Sequence, residues 1–280
     1  MNWSIRRELW ENRFLYLGPL IVMAVVLFGT FISITVMPHS VEGLEPAAQM
    51  ARLQKPFSLA PAPIMLASFI IGLFYSLDAL YGERRDRSIL FWKSMPVSDR
   101  TAVVSKASIP IVVLPVIAWI LSVAAQIILL VVSTPVLLAN QMNPAQLWSE
   151  LDFFQGLVIM FYGLAVHALW FAPIYAWLLL VSAWARRAPF LWAVLPLFAV
   201  SALERIALGT THFMRFLQHR AVGAMREAFS GLKATHGDVS ALSQLTPLNF
   251  LTTPGLWVGL AFAAACLALA IRLRRDRDPI

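Results

Sequence analysis

Long uncharged apolar runs recur along the whole chain, and this pattern limits the possible folds more than any other feature. A helix crosses roughly 30 Å of hydrocarbon with about 20 mainly apolar residues. Six such runs stand out, from about Leu15 to Met37, Leu59 to Leu80, Val103 to Leu138, Phe153 to Ala183, Pro189 to Leu203 and Gly255 to Ile271. Lipid offers no hydrogen bonds, so each run must satisfy its own backbone as a helix. The expected fold is therefore an all-α integral membrane protein, a single polytopic domain over residues 1–280. The third and fourth runs exceed one crossing and should tilt or project. The fifth is short and carries Pro189 and Pro196, so it is read as either a span or a broken, re-entrant segment.

Composition agrees. Hydrophobic residues make up 59% and charged residues 13%, against about 25% charged in soluble domains. The net charge of +7 does not indicate nucleic acid, because the basic residues cluster at the ends of apolar runs. With six crossings, fifteen of the 22 Lys and Arg residues fall on the side of the N-terminus. The positive-inside bias then puts both termini in the cytoplasm, in a bacterial inner membrane. The first run is too long for a signal-peptide core and ends at Met37-Pro38-His39 without a small-x-small site, so it is read as retained. The single cysteine, Cys266, lies in an Ala/Leu run and offers no disulfide or metal framework.

Two stretches outside the spans have amphipathic spacing. Met1 to Arg13 interleaves Trp3, Ile5, Leu9 and Trp10 with charges, as in a helix lying on the inner surface with its basic groups towards anionic lipid. Thr211 to Leu232 repeats apolar residues at helical spacing and should lie flat at the outer face or cap the spans. In the sixth run, Gly255, Gly259 and Ala263 form a small-x-x-x-small seam that permits close helix contact.

Motifs for chemistry are missing. The chain has no Gly-x-x-x-x-Gly-Lys-Ser/Thr phosphate loop, no Gly-x-Ser-x-Gly elbow and no His-Glu-x-x-His pair. No carboxylate falls at the centre of a run, which argues against proton or sodium coupling. His167 is the titratable group at depth, and the simplest role for it is a hydrogen bond to a neighbouring helix. Trp119, Trp170 and Trp177 also lie deep. Together with His167 they are candidates for lining a substrate path, with plain helix packing as the competing reading.

The most specific segment follows the second run: Tyr81-Gly82-Glu83-Arg84-Arg85-Asp86-Arg87-Ser88-Ile89-Leu90-Phe91-Trp92-Lys93-Ser94-Met95-Pro96-Val97-Ser98-Asp99-Arg100. A charge cluster followed by four large apolar residues is too greasy for a solvated turn. It reads as a short helix along the cytoplasmic face, ended by Pro96, with Ser98 or Asp99 capping the third span. A charged helix bearing large aromatics suits docking in a partner's groove.

This segment resembles the loop after the second span in permeases of the ABC-2 type. There a Glu-Arg cluster precedes a hydrophobic stretch and a Ser-x-Pro-Val-Ser-like ending, matched here by Ser94-Met95-Pro96-Val97-Ser98. Where many members have Gly-Thr after the cluster, this chain has Arg87-Ser88. The six-span layout with an N-terminal interfacial helix is similar over nearly the whole length. The resemblance implies a coupling helix, Glu83, Arg84, Arg85, Asp86, Arg87, Ile89, Leu90, Phe91 and Trp92, that contacts a separate ABC ATPase subunit. ATP and Mg would be bound on that subunit and no cofactor by this chain. It also implies a working unit with a second permease copy, exporting a substrate. The alternative is a membrane scaffold or accessory protein that transports nothing. A membrane-embedded enzyme is disfavoured by the missing catalytic motifs.

Overall fold

In a computed structural model of the chain, the described residues are 2–41, 46–90, 97–139, 145, 153–230 and 242–276. They are almost entirely helical: α1 (Asn2–Glu11), α2 (Phe14–Val41), α3 (Pro46–Leu59), α4 (Pro61–Asp78), α5 (Tyr81–Arg85), α6 (Asp99–Ser108), α7 (Leu114–Ala139), α8 (Phe153–Trp184), α9 (Pro189–Leu208), α10 (His212–Val222), α11 (Ala224–Ala228), α12 (Pro247–Thr252) and α13 (Pro254–Asp276). Among the described residues no strand forms, and one antiparallel bridge joins Phe229 and Leu245. Six helical stretches are long and apolar enough to cross a membrane: Phe14–Thr35, Gln54–Arg85, Asp99–Ala139, Phe153–Trp184, Pro189–Leu208 and Pro254–Asp276.

The third stretch contains a π-helical turn at Ile109–Val113, where Pro110 has no N–H to continue the α-helical ladder. The fifth is one continuous 20-residue helix despite Pro196. At 1.5 Å per residue it is about 30 Å long, enough for a full crossing. It is therefore not broken. Gly209, at φ 64°, ends it in the left-handed conformation that glycine adopts without a Cβ penalty. The Glu204 carboxylate then accepts from the backbone N–H groups of His212 at 2.7 Å and Phe213 at 2.8 Å, capping α10.

Between the helices the packing relies on small residues. Ser68, Ser76, Ser105 and Ser133 are buried, and each donates its hydroxyl to a carbonyl three or four residues earlier in its own helix. That satisfies the polar group and leaves a small, effectively apolar surface against the next helix. Ala172 and Ala176 of α8 meet Ala263 and Cys266 of α13, so two backbones approach closely. Cys266 is a small buried residue in that seam. Gly259 belongs to the same face but serves another contact: a Cβ there would run into the Arg220 guanidinium.

The amphipathic stretch after Thr211 forms two helices rather than one, α10 and α11, meeting at Gly223. They cap the bundle. Phe229 stacks edge-on against Tyr162, and Tyr162 donates to the Ala228 carbonyl, so the first turns of the long α8 carry this cap.

Contacts fix which helix ends share a face. Arg274, near the end of α13, is ion-paired with Glu83, and Arg84 donates to the Ala185 carbonyl after α8. Cysteines placed at Asp86, Arg186 and Arg275, with Cys266 replaced, should therefore respond alike to an impermeant thiol reagent. One at Arg215 should respond oppositely. The expected cytoplasmic orientation leaves the first three unlabelled from outside intact cells. If Arg186 and Arg215 label together, α9 does not cross.

Candidate functional site

Three acids and three bases converge at the end of the bundle that carries the N-terminus. α1 is helical, with Trp3, Trp10, Arg6 and Glu11 exposed and Glu8 turned inward. Glu8 is fully buried, where Lys106 of α6 reaches it at 2.9 Å, Arg7 at 2.6 Å and the Tyr75 hydroxyl donates at 2.7 Å. Lys106 also lies 3.2 Å from Glu83, which is paired with Arg274 and lies 3.7 Å from Arg7. Arg274 in turn contacts Asp99 at 3.2 Å. These six charges balance one another, with a fourth acid, the exposed Glu11, 3.7 Å from Arg7 at the edge. The cluster joins α1, the end of the second span, the start of the third and the end of the sixth.

Such a cluster contributes little net stability, because each charge gives up its hydration, yet losing one member leaves an uncompensated buried charge. Burial pushes the Glu8 carboxyl up, but Lys106, Tyr75 and Arg7 outweigh that and hold it below its ordinary value. Its contribution is thus present above the ordinary carboxylate range and is lost as pH falls through its folded value.

The loop after the second span is built on the same cluster. Two backbone N–H groups, of Leu80 and Tyr81, donate to the Ser182 hydroxyl at 3.0 and 2.9 Å and so end the second span against α8. Arg84 donates to the Ser182 and Ala185 carbonyls at 2.8 and 2.6 Å, satisfying the free C-terminal end of α8. Glu83, Arg84 and Ile89 are buried, whereas Arg85, Asp86, Arg87 and Leu90 are exposed. The expected single helix is interrupted. It stops at Arg85, and Arg87 has φ 56°, the left-handed region. Glycine reaches that conformation at least cost, so an arginine there is held by the turn around it. Phe91 and Trp92, with Lys93 to Pro96, lie outside the described residues. Ser98 caps α6, accepting from the Thr101 N–H at 3.2 Å, while Asp99 is committed to Arg274.

The chain matches no family model, no curated protein and no solved structure.

The four deep residues do not converge on one space. His167 shares a hydrogen bond of 3.1 Å with Tyr175 and sits among Phe69 and Phe171. Trp119 lies edge-on to Phe161. Trp177 donates to the Ala193 carbonyl of α9 at 3.2 Å. Trp170 is fully buried beneath Arg220, whose guanidinium lies 4.5 Å above its ring. Each has its own packing partners.

Sequence reasoning missed Glu8, Lys106 and Arg274, which it counted only as part of a surface helix or as topology charges. One signal was available. Lys106 stands alone among Ala102, Val103, Ala107 and Ile109, all buried, so a cation there must find an acid.

Proposed function

We propose that the chain is the membrane-spanning permease subunit of an ATP-driven exporter, coupled to a separate ABC ATPase and paired with a second permease copy. The motif resemblance in the loop 81–100 motivates this reading, and six helices of spanning length suit it. The observation that carries it is the ion cluster. Glu83, at the root of that loop, is tied to Arg7 on α1, Lys106 on α6 and Arg274 on α13. A displacement of the loop by an ATPase would thereby move α1 and two spans together instead of bending the loop alone. Exposed Arg85, Asp86, Arg87 and Leu90 are the positions left for such a partner.

Isolation in mild detergent tests the reading. The expected product contains an ABC ATPase subunit at equal stoichiometry, with two copies of each chain, and hydrolyses ATP in the presence of Mg. Leu90→Arg, on a side chain that is 57% exposed, should leave the melting temperature of the permease unchanged. It should remove the ATPase and the stimulated hydrolysis, because a charge at an apolar contact is left unpaired. If no ATPase accompanies the chain, or if Leu90→Arg behaves as the parent, the exporter reading fails and a scaffold becomes the better account.

A further inference from the structure

Ser133 and Thr134 of α7 return their hydroxyls to the Leu130 carbonyl, but Ser122 of the same helix does not. Ser122 has no exposed surface and its hydroxyl has no partner; one turn earlier the buried Trp119 indole N–H also has none. Among the described residues, the other buried atoms without a partner belong to Arg7, Glu83, Arg84 and Arg220. Each of those side chains is bonded through its remaining polar atoms. Trp119 and Ser122 have a single polar group each, and it is unused. Gln126, a further turn along, is half-buried and likewise makes no hydrogen bond among the described residues. Positions 119, 122 and 126 follow the i, i+3, i+7 spacing of one helix face. A buried group whose hydrogen bond is unmade keeps its full desolvation cost, so this stripe is short of a partner.

Two contacts place the stripe. Phe161 of α8 meets Trp119 edge-on, and Phe153 packs on the cluster that includes Leu129 and Leu130. Ser122 and Gln126 therefore lie opposite the α8 segment between those two rings. That segment has room, since a Cβ at Gly156 would meet nothing within 4 Å. Phe154, Val158 and Phe161 are exposed, so it faces lipid. Gln126 stands about 20 residues beyond Lys106 of the ion cluster, a helical rise of about 30 Å. That is roughly one hydrocarbon thickness, so Gln126 marks the opposite edge of the bilayer, with Ser122 and Trp119 one and two turns deeper. Neither α7 nor α8 carries Asp, Glu, Lys or Arg, so an ion would find no counter-charge here.

We infer that the α7–α8 seam binds an uncharged amphiphile whose head carries hydroxyl and carbonyl groups. Trp119 and Ser122 donate to a carbonyl or ether oxygen of the head, and Gln126, which both donates and accepts, bonds a hydroxyl at the bilayer edge. The apolar tail runs from Phe161 past the exposed Val116 and Val112 towards the midplane. The exposed Phe161 ring swings from the edge of Trp119 to admit the head. A lipid-like ligand reaches this seam sideways without leaving the bilayer. The inference does not rest on the exporter reading, and no ATPase enters its test.

Native mass spectrometry of the purified full chain tests it, with equal amounts of monoglucosyl diacylglycerol and phosphatidylglycerol of the same acyl chains. The parent should retain the uncharged glycolipid preferentially. Trp119→Phe, Ser122→Ala and Gln126→Leu should each weaken that retention about fivefold, the worth of one hydrogen bond. Without lipid, Ser122→Ala should melt no lower than the parent, because the hydroxyl removed bonds nothing within the chain. Ser133→Ala removes a hydroxyl already given to the Leu130 carbonyl and should leave retention unchanged. Glycolipid that accompanies the chain from the membrane marks a resident lipid, and glycolipid bound only on addition marks a transient ligand; both support the site. Equal retention of the two lipids, or undiminished retention in the three variants, overturns it. So does a lower melting temperature for lipid-free Ser122→Ala, which would give that hydroxyl a partner inside the chain. A dimer that Gln126→Leu alone dissociates assigns the stripe to a second copy and overturns the ligand.

Discussion

Glu83→Arg is expected to collapse the end of the bundle that carries the N-terminus, and the melting temperature in detergent should fall steeply. The wild-type cluster balances Glu8, Glu83 and Asp99 against Arg7, Lys106 and Arg274. The substitution leaves two acids facing four bases in a space where Glu83 is 9% exposed and Arg274 5%. Breaking a buried ion pair from one side costs about 3–5 kcal/mol, and a cation pressed against Arg274 and Lys106 adds repulsion. From sequence alone Glu83 would present its charge to a partner, and reversal would spare the fold. Its inward orientation reverses that expectation. Glu83→Gln, which keeps the shape, should fall between the two. The exchange Glu83→Arg with Arg274→Glu restores charge balance and should recover part of the loss, since paired sites are not additive. Equal melting temperatures for parent and Glu83→Arg would mean that the cluster is hydrated and slack.

The reach of the sequence is clearest where one helix accounts for its own signal. Apolar runs placed the six spanning stretches, because a helix in lipid is selected by length and hydropathy within its own residues. Ends moved by a few positions: Pro189 to Leu203 extends to Leu208, where Glu204 and Arg205 ride on an otherwise apolar helix. α3 went unread because Arg52, Lys55 and an internal Pro56 mask its apolar side. The helix break at Arg87 was also hidden, since a left-handed residue that is not glycine carries no compositional mark.

The ion cluster was illegible for a different reason. Its pairs join positions 98 and 191 residues apart, and each basic member taken alone satisfies the positive-inside pattern. A charge that sets topology and a charge that closes a buried pair look the same until the helices are assembled. What composition does supply is the requirement that a lone Lys106 among apolar neighbours be compensated, without naming the acid. The same limit applies at the opposite face, where the Arg220 contact depends on α8, α10 and α13 meeting.

That contact carries the second large effect. Trp170→Ala should destabilise the α10–α12 cap and lower the melting temperature by an amount comparable to Glu83→Arg. Trp170 has no exposed surface; its indole N–H donates to the Arg220 carbonyl at 2.8 Å, and the Arg220 guanidinium covers its ring. His219 meets it edge-on and Phe250 lies tilted against it. Removing a buried Trp to Ala costs about 3–5 kcal/mol through lost contacts and the cavity left behind. Arg220 is 8% exposed, and its remaining hydrogen bond is to the Gly255 carbonyl at 3.2 Å. Burial already pushes its pKa below the ordinary arginine value. Without the aromatic face that guanidinium keeps its desolvation cost and loses its partner, so the cap should open. Hydrogen exchange would report this as faster exchange confined to α10, α11 and α12. Trp170→Phe retains a ring but strands the Arg220 carbonyl, and should cost about 1–3 kcal/mol. A residue lining a substrate path would behave otherwise: Trp170→Ala would alter transport while leaving melting and exchange as in the parent, and that result would overturn the packing role.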